Sequence, residues 1–287
     1  MLDTNATACA LSLLRNRFDP YKSLNGEDII LMATLVSAAK GHRGTFVELG
    51  AFTGQHSNTA ILERCFGWSG LLIEANPSNF AQLQAKAHRP RSRKVHSAVC
   101  GAEGINGKKS VRFTQKGGSV AGQVDMLTEQ HQKDWGRLNK PSQSVEVPCQ
   151  PLERIMADNG LADGATFLSL DVEGSEELVL STVRPSAFHI IMVETDATEL
   201  AKDQRVERRI LDDGLRLQPM LTRQIYNSSH VYTRPSVIVY PLPDKWTKPG
   251  RLLGRTRIGD RVNSTLLLRL LTHAAHGTEL APDLFLK

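Results

Sequence analysis

The chain has 287 residues, 40% of them apolar and 23% charged, the balance of an ordinary globular protein. A chain of this length buries a sizeable core without covalent staples, which excludes a disulfide scaffold and a disordered polymer. The formal charge of +5 is unevenly placed: Lys245–Arg269 holds seven basic residues and one acid, so the rest of the chain carries about −1.

In chain order, Glu27–Lys40 reads as an amphipathic helix, with Ile29, Ile30, Met32, Leu35 and Val36 at helical spacing. Thr45–Leu49 is a short apolar strand closed by Gly50, and a helix over about Ser57–Cys65 follows. Gly70–Glu74 is a second buried strand, and Pro77 opens the next helix through Phe80, Leu83 and Ala87. Lys94–Val99 is a third strand. Residues 101–144 are irregular, with a strand at Val111–Phe113 and a loop-forming composition at Gly117–Gly122. Strands are expected at Val145–Cys149, Ala165–Asp171 and His189–Glu194, and helices at Leu152–Met156, 175–181 and 198–212. Leu215–Leu221 and His230–Thr233 read as an antiparallel finish. Alternating strands and helices imply right-handed βαβ units and a mostly parallel, doubly wound sheet. Three parts are expected: a helical lead-in over 1–40, a main domain over 41–240, and a basic extension over 241–287.

Cys9, Cys65, Cys100 and Cys149 form no C-x-x-C pair, which argues against structural zinc; they are expected as reduced thiols of a cytoplasmic protein. No apolar run reaches the length of a membrane span, and the first residues lack the pattern of a signal peptide. Arg89–Lys94 is expected to be a solvated basic loop.

Ligands of a doubly wound sheet sit outside the carboxyl ends of its strands. The first strand ends Glu48-Leu49-Gly50-Ala51-Phe52-Thr53-Gly54, which breaks the G-x-G-x-x-G fingerprint at Phe52 and Gln55 and so argues against NAD. An acid-x-Gly-x-x-x-Gly loop suits the amino-acid part of S-adenosylmethionine, with Glu48 near the ammonium and Asn58 and Thr59 near the carboxylate. Glu74 ends the second strand, where a carboxylate can accept both ribose hydroxyls. Ser169–Glu176 brings Asp171, Glu173 and Glu176 to the same sheet edge, with Ser175 as a helix cap. Crowded acids raise one another's pKa, so one of them can serve as a base.

The runs Thr45–Gly54, Ser57–Thr59, Gly67–Pro77 and Phe167–Glu176 together resemble the FkbM-type S-adenosylmethionine-dependent methyltransferases. Ser23-Leu24-Asn25-Gly26-Glu27-Asp28 is similar to that family's opening motif, departing from its Ser-Gln pair at Leu24-Asn25. The resemblance spans about residues 20–235. It implies an α/β, Rossmann-like class I methyltransferase fold with a seven-stranded sheet ending in an antiparallel hairpin. It also implies O-methylation of hydroxyls on sugars, polyketides or other small metabolites. By position, Glu48, Gly50, Ala51, Gly54, Asn58, Thr59, Glu74, Ala75 and Asn76 would carry the cofactor. Ala98 and Val99 would border its adenine, and Asp171 would lie nearest the transferred methyl.

Methyl transfer needs an oxygen held in line and its proton removed. Asp171 is the favoured base, with Glu173, Glu194 and His230 behind it. A Mg²⁺ ion held by Asp171 with Glu194 or Asp196 is a less favoured alternative. His56 is read as packing at a helix start. A nucleic-acid methyltransferase is disfavoured because Asp171-Val172-Glu173-Gly174 stands where an Asp/Asn-Pro-Pro-aromatic tetrad would be expected, and its acids would repel a phosphate backbone. A non-catalytic module acting through the basic tail is the rival of a different class. The tail's leucines are expected to pack on the body or on a second subunit rather than on a membrane.

Overall fold

A computed structural model describes residues 4–15, 23, 26–41, 43–86, 89–101, 109–116, 118–138, 140, 142–195, 199–225, 229–242 and 264–278. Three layers form it: a sheet with helices on both faces. β1 (Thr45–Leu49), β2 (Ser69–Glu74) and β3 (Ser92–His96) build one half, with α3 (Ala60–Phe66) and α4 (Pro77–Lys86) between them. β7 (Ala165–Leu170) and β8 (Phe188–Glu194) extend the other half. The order is β3-β2-β1-β7-β8-β10-β9, parallel through β8; β10 (Ser229–Thr233) runs antiparallel to both β8 and β9 (Arg216–Leu217). This is the expected seven-stranded Rossmann-like sheet with its antiparallel finish. The expected third strand is split: β4 (Ala98–Val99) leaves the main sheet and joins β6 (Ser144–Gln150), which β5 (Ser110–Thr114) flanks on its other side.

Alternation along each strand supplies the two cores. Phe46, Leu72, Phe167, Ile190 and Val231 face one side, while Val47, Leu71, Leu168, Ile191 and Tyr232 face the other. α6 (Leu152–Asp158), α7 (Glu176–Ser181) and α8 (Leu200–Asp212) cover the second side. α2 (Glu27–Ala38) covers the first, yet every one of its residues is buried, so it has no solvent face. The reason is the C-terminal helix: Leu267, Leu270, Leu271 and Ala274 of α10 (Ser264–His276) lie at i, i+3, i+4 and i+7 and are buried against α2 in the same core. These leucines therefore pack on the body. The basic run Lys245–Arg261, with Trp246, lies outside the described residues. The expected strand at Leu215–Leu221 is only partly one: α9 (Pro219–Gln224) begins at Pro219, whose fixed φ opens a helix.

The cysteines are not reduced thiols. Cys9 of α1 (Thr4–Arg15) bonds to Cys65 of α3, and Cys100 bonds to Cys149 of β6. Partners 56 and 49 residues apart are brought together by tertiary packing, which spacing does not reveal. The cytoplasmic expectation thereby loses its cysteine argument, since paired cysteines suit an oxidising compartment. Unfolded, unreduced protein is expected to show no thiol reactive to Ellman's reagent, and four after reduction; four without reduction would contradict both pairings. Among the described residues no helix is long and apolar enough to cross a membrane.

Candidate active site

β1 pairs with β2 on one side and β7 on the other, so the strand order reverses between β1 and β7. Such a switch point opens a crevice where the two chains leave the sheet in opposite directions. Gly50 and Asp171 stand at its two lips. A Cβ on Gly50 would lie 1.9 Å from the Asp171 carbonyl oxygen, and its φ is +78°, so only glycine serves there. The crevice is lined by Glu74, Ala75, Ala98 and Val99, which end or follow β2 and β3, and by Asp171, Glu173 and Ser175, which follow β7.

Glu74 is buried and lines the crevice. Its two oxygens accept the backbone N–H groups of Phe52 and Asn76, each at 2.7 Å. Burial nevertheless pushes its carboxyl up to about 7.

Glu48, Ala51, Gly54, Asn58, Thr59 and Asn76, expected at the cofactor, are outside the crevice lining. The buried Glu48 carboxylate accepts Ser57 Oγ at 2.7 Å, Thr59 Oγ1 at 2.5 Å and the Asn58 N–H at 3.2 Å. Asn58 Nδ2 donates to Ser169 Oγ at 3.1 Å, tying the loop after β1 to β7. Behind this cluster sits Arg89, which is no solvated loop residue: its side chain is fully buried. Nε donates to Glu63 at 2.6 Å, and the terminal nitrogens donate to Ser57 Oγ at 2.9 Å and Thr59 Oγ1 at 2.7 Å. The guanidinium lies over the Phe46 ring, 5.5 Å from its centre. Asn76 is buried and structural in its contacts, its amide donating to Thr114 O and Gln115 O and its carbonyl capping α4 through Ser78 and Asn79.

Asp171 lines the crevice, and Glu194, outside that lining, lies close enough to act on its ionisation. Burial first, then the charges of Glu194 and Glu173, hold Asp171 well above the carboxylate range. Burial raises Glu194 to about 7, against the lowering hydrogen bond from Asp171. Two carboxyls so close hold one proton between them near neutral pH. Glu173 has φ +53° and faces His131 Nδ1 at 3.2 Å. Glu176 accepts the Gly174 N–H at 3.0 Å and pairs with Lys202 at 3.0 Å. Ser175 makes no cap: its Oγ is buried without a hydrogen-bond partner among the described residues, as is Thr53 Oγ1 in the loop after β1. His230 faces Tyr232 within the sheet and is not in the crevice lining, and His56 is exposed with φ +55°. Asp196 lies outside the described residues, among which no three His, Cys, Asp or Glu side chains are arranged to hold a metal ion.

Sequence reasoning missed Gln123 and His131. Both come from the irregular 101–144 stretch. His131 lies on α5 (Glu129–Trp135), whose start Thr128 caps by accepting the His131 N–H at 3.0 Å. A Thr-Glu pair ahead of Gln130–Trp135 was the available sign of that helix.

A seven-stranded sheet with a crevice at its switch point and acids at its strand ends defines a Rossmann-like methyltransferase fold. The Methyltransferase FkbM domain matches residues 48–225, more than half of the chain, and the chain belongs to that family. Comparison with curated proteins finds no match. Methyltransferases of this kind generally draw their methyl group from S-adenosylmethionine. The crevice fits that group in its chemistry: a bare-backbone approach at Gly50, an acceptor carboxylate at Glu74, and an unpartnered hydroxyl at Ser175.

Proposed function

We propose that the chain transfers a methyl group from S-adenosylmethionine to a hydroxyl of a small metabolite, such as a sugar or polyketide. The observation that carries this reading is the crevice at the switch point between β1 and β7, lined by Gly50, Glu74 and Asp171, with Glu194 next to Asp171. When bound, the cofactor supplies an electrophilic methyl on a sulfonium with a good leaving group. Glu74 accepts the ribose hydroxyls, Gly50 lets the backbone approach, and Ala75, Ala98 and Val99 flank the adenine. Asp171 and Glu194 hold one proton and one negative charge. The ionised carboxylate takes the acceptor's hydroxyl proton as the oxygen attacks in line. Transfer of labelled methyl onto a panel of hydroxylated metabolites, with and without Mg²⁺, tests this. Label in an ether oxygen's methyl group supports it, and label found only on nitrogen or nucleic acid refutes it. Equal rates with chelator and with Mg²⁺ favour the carboxylate pair as base over metal assistance.

Glu74 also makes cofactor affinity depend on pH. Ribose hydroxyls donate more strongly to the ionised carboxylate than to the protonated acid, which keeps only part of its acceptor capacity, so binding favours release of a proton when Glu74 starts protonated. With its pKa at about 7, affinity for S-adenosylhomocysteine is expected to rise about tenfold from pH 6 to pH 8. Glu74→Gln is expected to bind more weakly and to flatten the profile; an unaltered slope in that variant would refute the assignment.

A further inference from the structure

Ala98 and Val99 line the crevice, yet they do not belong to the main sheet. The chain leaves β3 at Ser97, whose N–H donates to Glu74 O at 3.3 Å and whose Oγ donates to Ala98 O at 2.7 Å. The two residues then form β4, at the edge of the small sheet β4-β6-β5, where Ala98 pairs with Cys149 and Val99 with Gln150. The buried core of this sheet is Ala98, Cys100, Val111, Val147 and Cys149, separate from the two cores of the main sheet. A core that small is where a covalent staple matters most.

Cys100 directly follows the lining pair, and its bond to Cys149 closes a loop spanning 49 positions. Phe113, Gly118, Ser119, Ala121 and Gln123, which also line the crevice, lie within that loop. One bond thus fixes both β4 and the irregular segment against β6. Cys9–Cys65 has no such role: it joins α1 to α3, and no described residue of either helix lines the crevice. Cys100 and Cys149 are each less than a tenth exposed, so a reductant reaches their sulfurs when the two-residue edge strand β4 opens from β6.

We propose that the Cys100–Cys149 bond is a redox latch on the crevice. Oxidised, it holds β4 and the irregular segment in the arrangement that binds the cofactor. Reduced, it frees them, and the binding arrangement becomes a minor one. A dithiol reductant supplies the two electrons: the S–S bond breaks, two protein thiols form, and the reductant leaves as its own disulfide. The proposal rests on the S-adenosyl reading above and adds its regulation.

The test is calorimetric titration of the full chain with S-adenosylhomocysteine, before and after dithiothreitol, with protein thiols counted at each stage. Cys9→Ser/Cys65→Ser is expected to bind as the unreduced parent does, to gain two thiols on reduction while still folded, and then to bind about tenfold more weakly or worse. Cys100→Ser/Cys149→Ser is expected to bind that weakly without reductant. Parent affinity in either the reduced protein or this second variant overturns the proposal. So does a Cys100–Cys149 bond that dithiothreitol leaves intact in the folded chain. If Cys100→Ser/Cys149→Ser does not fold, reduction of Cys9→Ser/Cys65→Ser carries the comparison, and a melting curve showing that reduction unfolds the whole chain makes the bond a staple and not a latch. An unreduced, folded parent that binds no S-adenosylhomocysteine defeats the S-adenosyl reading itself, and the latch with it.

Discussion

Asp171→Asn is expected to cut methyl transfer by about 10²–10⁴-fold, the range of a lost general base. Its affinity for S-adenosylhomocysteine is expected to stay within a few-fold, because that ligand has no sulfonium charge for the carboxylate to face. Glu194→Gln is expected to lower the rate less and to shift its acidic limb downward, since Asp171 then loses both a neighbouring charge and the partner that raises its pKa. The same pair has a stability signature. Glu194 ionises at about 7 in the folded chain and near 4.5 unfolded, so the folded state holds the extra proton in between. Parent stability from this group is therefore lost as pH rises from about 4.5 through 7. The Tm of Glu194→Gln relative to the parent should climb between pH 5 and pH 8. A constant difference, or a rate unaffected by Asp171→Asn, would remove the pair from the mechanism.

Arg89→Met is expected to lower the Tm by about 10 °C. Removing one partner of a buried ion pair costs about 3–5 kcal/mol because the other charge is left uncompensated, and a chain of this size loses about 2–4 °C per kcal/mol. Here Glu63 loses a 2.6 Å contact, and Ser57 and Thr59 lose the donors that hold them beside Glu48. Glu63 keeps the Arg91 N–H at 2.6 Å and the Ser92 hydroxyl, which hold it in place without its guanidinium partner. Adding Glu63→Leu to Arg89→Met should restore part of the loss, since two apolar side chains replace an ion pair at small cost. Urea unfolding of the single and double variants measures this; a parent-like midpoint in Arg89→Met would show that the network contributes nothing.

The sheet was legible because its strands are short apolar runs ending in glycine or an acid, and alternation assigns their two faces. Glu74 was legible for the same reason: a strand-end acid at a switch point borders the crevice wherever the turn goes. Glu48 carries the same outward sign, yet its oxygens are taken by Ser57, Asn58 and Thr59, backed by Arg89 forty-one positions away. Nothing local distinguishes Arg89 from Arg91 and Arg93, which are exposed; one arginine of the three turns inward because Glu63 waits there. Gln123 and His131 owe their positions to the β5–β6 pairing, which closes a loop of some thirty residues on the crevice. That is long-range information, as is the pairing of the cysteines. α2 read as amphipathic because the helix that covers its outer face lies at the far end of the chain.

The most direct measurement is calorimetric titration of the folded chain at pH 8 with S-adenosylhomocysteine, beside NAD and beside the Glu74→Ala variant. Micromolar binding of the first ligand, none of NAD, and a loss of at least about tenfold in Glu74→Ala is the result expected of a carboxylate that accepts two ribose hydroxyls. A parent that melts cooperatively yet binds no S-adenosylhomocysteine, or a Glu74→Ala protein that binds it as the parent does, would contradict the account of the crevice.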